Sequence, residues 1–173
     1  MQRSLAVAAA ILLAATTASA GTAKGTLVHK GKTVTLAHAY LVVGPDAIDP
    51  AKKIRRLILT ADDLSAKLAA CKVMSCTDGE VMEGLVVDID GGPRLNYWMV
   101  LDDQKIQHSD TEEPSSLVAT TDDAKKLAGK LTIDDTGSGG PTVAVQFDAT
   151  LVQELTAAFV EKEPLLRRCL APS

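Results

Sequence analysis

Apolar and polar residues alternate over 24–43, KGTLVHKGKTVTLAHAYLVV, and this alternation predicts one long β-hairpin. The turn falls at Lys30-Gly31, because glycine accepts the positive φ that tight hairpin turns demand. Side chains alternate along a strand, so Leu27, His29, Val34, Leu36, His38 and Tyr40 are expected on one face. Val28, Thr33, Thr35, Ala37, Ala39 and Leu41 fall on the other, and apolar groups on both faces late in the second strand predict cover on both sides.

The pattern continues as sheet. Ile54–Thr60 is a short β-rich run, and Val81–Asp90 with Arg94–Leu101 predicts a second hairpin around Gly91-Gly92-Pro93. Lys105–Ser109 adds a short strand, followed by a polar loop over Thr111–Ser116. Leu117–Thr120 reads as strand, after which a two-turn helix ending before Gly129 competes with a strand running into Lys130–Ile133. Leu131–Asp135 and Thr142–Thr150 form a third hairpin across the glycine-rich loop Thr136–Gly140.

Helical spacing breaks this pattern twice. Thr60-Ala-Asp-Asp63 resembles a capping box, and Leu64, Leu68 and Cys71 then share one face of a helix of about three turns. Thr150–Gln153 offers a second cap, with Leu151, Leu155 and Phe159 along one side and Pro164 as an interruption. The reading is therefore a leader over 1–20, a β-rich domain over 21–150 and a C-terminal helical extension over 151–173.

The leader sets the compartment. Arg3, the apolar run Leu5–Ala15 and the small-residue site Ala18-Ser19-Ala20 read as a signal peptide cleaved before Gly21. The apolar run is too short to span a bilayer, so no stable membrane anchor is expected after cleavage, and the location is periplasmic or secreted. Removing one Arg and no acid changes the formal charge from −4 to −5. Phosphate recognition needs a basic face, so nucleic acid is excluded as a partner. The one basic run, Lys52-Lys53 with Arg55-Arg56, is expected to be a solvated sheet edge.

In an oxidising compartment Cys71 and Cys76, five apart, are the first choice for a disulfide, although Cys169 can take either partner. His38 is expected to be wholly or partly buried beside Leu36 and Tyr40. His29 and His38 are the residues to consider for metal ligation, but they stand several residues apart on opposite strands, and only folding brings His108 near. The acidic doublets Asp62-Asp63, Asp102-Asp103, Glu112-Glu113, Asp122-Asp123 and Asp134-Asp135 read as solvated turns and caps. Asp88 and Asp90 lack the remaining ligand positions of an EF-hand loop. No nucleophile elbow, zinc-protease helix or phosphate loop occurs, so no catalytic residue, cofactor or metal is assigned.

The runs GTLVHKGKTVTLAHAY and GLVVDID, and the strand ending Phe147-Asp148-Ala149, resemble a family of exported bacterial β-rich proteins that open with this hairpin. The resemblance implies export and a β-rich fold, and no activity. Together these readings predict a mainly β protein, an antiparallel β-sandwich or partly open barrel of seven or eight strands. They point to a non-enzymatic envelope protein that binds a small ligand or a protein partner. The alternative is a metal-dependent binder or enzyme using His38 with nearby carboxylates.

Overall fold

A computed structural model describes residues 20–102 and 105–160, with Lys105 described by its backbone alone. The leader over 1–19, Cys169 and the tail from 161 lie outside the described residues, as do the readings that rest on them. Nine strands form one sheet: β1 (Gly21–His29), β2 (Lys32–Pro45), β3 (Lys53–Thr60), β4 (Gly84–Ile89), β5 (Leu95–Leu101), β6 (Lys105–Glu112), β7 (Leu117–Asp122), β8 (Lys126–Asp134) and β9 (Thr142–Glu154). Their order is β6-β5-β4-β3-β2-β1-β9-β8-β7. The pairing is antiparallel except for a short parallel stretch between β2 and β9, and no ladder joins β6 to β7 among the described residues.

The first hairpin forms as the alternation predicts, with Lys30 at φ 45° and Gly31 at φ 81° in the turn. Its second strand does not hold one face throughout. Val34 and Leu36 enter the main core, yet from Ala39 onward the odd-numbered residues Ala39 and Leu41 do so, while Tyr40 and Val42 turn to a second core. The predicted single face of Leu36, His38 and Tyr40 is therefore broken. The cause lies beside β1, where the register slips between Thr22 and Gly25 and the strand then ends. Beyond it, Tyr40–Val43 pairs directly with Thr150–Glu154. Gly21 sits at this fork, where a Cβ would overlap the Asp148 carbonyl and lie 2.7 Å from that of Ala39, so only glycine fits.

The sheet thus curls into a half-barrel. Leu27, Leu36, Leu57, Leu85, Tyr97 and Met99 from one half meet Leu131, Ile133, Val143 and Phe147 from the other inside it. Outside, Tyr40, Val42, Ile58, Val86 and Val100 are covered by two short helices, α1 (Ser65–Ala70) and α2 (Met74–Glu80), through Leu64, Leu68 and Met74.

The helices depart from expectation. Thr60 ends β3 instead of capping α1, its hydroxyl donating to the Asp62 carbonyl at 2.7 Å. The Leu64 amide donates to the Tyr40 hydroxyl at 2.6 Å, and Asp63 accepts the Ser65 amide at 2.8 Å. Burial of Tyr40 fixes this junction, and α1 spans one and a half turns because the chain must bend at Cys71 to reach α2. Cys71 and Cys76 are joined as a disulfide that ties the end of α1 to α2. The predicted helix from Thr150 is instead the end of β9, held by the parallel pairing with β2, and 155–160 is non-helical. That segment accepts the Met74 and Ser75 amides at the carbonyls of Ala157 and Ala158, both at 2.9 Å, so tertiary bonding replaces helix formation there. Residues 120–129 take the strand alternative, with a turn between β7 and β8.

The basic run is no solvated edge. Strand β3 lies inside the sheet, and Arg56 is 4% exposed. Its guanidinium donates to both Asp88 oxygens at 2.7 and 2.8 Å, and to Asp78 at 2.9 Å, Thr77 at 3.0 Å and the Met74 carbonyl at 3.2 Å. Trp98 lies 4.8 Å beneath it, a cation–π contact. Arg56 therefore fastens α2 to the outer face of the sheet.

Candidate metal centre

Strand alternation places His108 and Asp110 on one face of β6, two residues apart. His108 pairs with Met99 and Asp110 with Tyr97, both of which point into the half-barrel. Asp135 arrives from the opposite half, at the start of the loop between β8 and β9. This loop is closed by a turn in which the Gly140 amide donates to the Asp135 carbonyl at 2.8 Å. The curl of the sheet brings the two together: His108 Nε2 lies 2.7 Å from Asp135 Oδ2. The Tyr97 hydroxyl donates to the same oxygen and the Ser138 hydroxyl to Asp135 Oδ1. One ligand atom from each of His108, Asp110 and Asp135 lies within 4.8 Å of the others.

The electrostatics follow from these contacts. The Ser138 hydroxyl first, then the Tyr97 hydroxyl and His108, hold the Asp135 carboxyl below the usual carboxylate range. Burial pushes the Tyr97 hydroxyl up, and so do the hydrogen bond to Asp135 and the charges of Asp135, Asp110 and Glu112. Tyr97 stays a neutral donor that orients Asp135. Two carboxylates with one imidazole beside them form a negative site with a nitrogen donor.

Gly140 completes the cradle. A Cβ there would overlap Asp135 Oδ2 and lie 2.6 Å from His108 Nε2. The loop backbone packs against the His108–Asp135 pair so closely that any side chain would displace it.

The histidines of the first hairpin are not part of this site. His29 is buried opposite Lys32, and its Nδ1 has no hydrogen-bond partner among the described residues. His38 pairs with Thr22 and Thr60 and stacks on Tyr40, with ring centroids 6.4 Å apart. A second grouping, Cys71, Cys76 and Glu80, has both sulfurs committed to the disulfide. The remaining doublets serve structure: Asp63 holds the start of α1, and Asp123 accepts the Lys125 and Lys126 amides at 2.8 and 2.9 Å. Asp88 and Asp90 pair with Arg56 and Arg55, so neither is a calcium ligand set. Asp135 alone among the doublets was a site residue hidden as a turn residue. The available signal was His108-Ser-Asp110, one strand face carrying an imidazole and a carboxylate.

Among the described residues no helix is long and apolar enough to cross a membrane. Compared with known proteins, the chain matches no family model, no curated protein and no solved structure.

Proposed function

We propose that this is an exported protein that binds a divalent first-row transition-metal cation through His108, Asp110 and Asp135. The observation that carries the reading is the convergence of three ligand atoms within 4.8 Å from two separate parts of the sheet. An imidazole with two carboxylates suits zinc, manganese or iron. Calcium is disfavoured because it takes six to eight oxygens. The orienting hydrogen bonds from Tyr97 and Ser138 to Asp135 are the kind of support that metal-ligating carboxylates use. The metal-dependent reading thus rests on His108 and not on His38, which lies among Tyr40, Thr22 and Thr60.

Elemental analysis of the full chain, purified without chelator, tests this. About one equivalent of a transition metal is expected in the wild type and none in His108→Ala. Metal-free wild type that also takes up no Zn2+ on dialysis contradicts the reading.

A further inference from the structure

The half-barrel is open between β6 and β7, and its two halves are fastened across the interior by polar contacts at the rim. Arg55 on β3 reaches Asp122 at the end of β7. His108 on β6 and Tyr97 on β5 reach Asp135 beyond β8. The Arg55–Asp122 contact is a complete ion pair. The contact at Asp135 differs, because it sets Asp135 and Asp110, two carboxylates from opposite sides of the opening, beside one imidazole.

We infer that a cation at His108, Asp110 and Asp135 acts as a clasp that closes the open side of the half-barrel, so that cation availability regulates closure. The inference rests on the cation-binding reading and adds what binding does. Two of the ligands belong to β6 and the third to the β8–β9 loop, so a cation touching all three must hold those elements together. Opening the rim separates His108 and Asp110 from Asp135 and dismantles the site. Binding and closure are therefore linked, and each cation bound favours the closed form by a factor of about 1 + [M]/Kd. Gly140, whose backbone presses on the His108–Asp135 pair, makes the loop itself part of the clasp.

Hydrogen exchange read by mass spectrometry, with and without Zn2+, tests this on the full chain, alongside calorimetric titration of the same samples. At Zn2+ ten times its Kd, amides of β6 and of residues 135–141 are expected to exchange about tenfold more slowly. Amides of α1 and α2, on the far side of the sheet, are expected to be unchanged. Asp110→Asn provides a variant that is expected to leave the fold intact, since Asp110 is exposed and, among the described residues, accepts the neighbouring Thr111 amide at 2.7 Å. It is expected to lose the protection. Saturable Zn2+ binding with no protection, or with protection confined to β6, overturns the clasp and leaves the cation reading standing. No saturable binding overturns both.

Discussion

Replacing Gly140 with alanine adds a single methyl group, and the structure says what that methyl meets. It would overlap Asp135 Oδ2 and stand 2.6 Å from His108 Nε2, where ordinary contact begins at 3.4 Å. His108 must therefore retreat by about 0.8 Å and Asp135 by at least as much. Those two groups are 2.7 Å apart, so movement in different directions takes them beyond hydrogen-bonding range. Both side chains are only 16% exposed, and water replaces the lost contact poorly. A hydrogen bond to a charged group contributes about 1.5–3 kcal/mol, so Gly140→Ala is expected to destabilise the domain by roughly 2 kcal/mol. Cation affinity should fall about 10–100-fold, as it does when ligands lose their orientation. Gly137, in the same loop, supplies the control: a Cβ there meets nothing within 4 Å, so Gly137→Ala should match the wild type. Urea unfolding and Zn2+ titration of the three proteins would give the answer. Equal stability and affinity for Gly140→Ala and Gly137→Ala would refute the close-packed cradle.

Other expectations follow from the rest of the molecule. Arg56→Met strands Asp88 and Asp78 and should cost roughly 3 kcal/mol, or about 6–12 °C in Tm. The partly exposed neighbour Arg55→Met should cost no more than about 1 kcal/mol. Thermal melts of the two variants test the difference. Replacing Cys71 and Cys76 with serine removes a short cross-link and should cost about 2 kcal/mol by loop entropy, checked by urea unfolding. The Asp63 carboxyl is held at about 2 by the Ser65 hydroxyl and amide and by the Tyr40 hydroxyl. A carboxyl depressed in the folded state contributes stability above its unfolded value near 3.8, and that stability is lost as pH falls toward 2. Asp63→Asn should therefore flatten the acid limb of the stability profile between about pH 4 and 2.

Much of the sheet was legible because it is built from local hairpins. The turns at Lys30-Gly31, Gly91-Gly92-Pro93 and Thr136–Gly140 announce themselves by composition, and alternation fixes the strands on either side. Failures came where a distant partner overrides local preference. Thr150–Gln153 has a cap-like start, but pairing with β2 keeps it extended. Arg56 looks like surface charge in a basic run, and becomes core because β3 has neighbours on both edges and α2 above. The parity of His38 was misread because β2 leaves β1 partway along its length. The site illustrates the same limit. The expected strand Lys105–Ser109 stops short of Asp110, which shares a face of β6 with His108, and Asp135 is 27 residues from His108 and joins it only because the sheet curls. No periodicity encodes curl directly; it emerges from the register slips and the β2–β9 fork.

Whether one cation is held jointly by His108, Asp110 and Asp135 is tested most directly by crystals of the full chain grown with Zn2+ and an anomalous difference map collected at the zinc edge. A peak is expected about 2.0–2.2 Å from His108 Nε2 and from oxygens of Asp110 and Asp135. Saturating Zn2+ with His108 Nε2 still hydrogen-bonded to Asp135 and no peak between them would contradict joint binding.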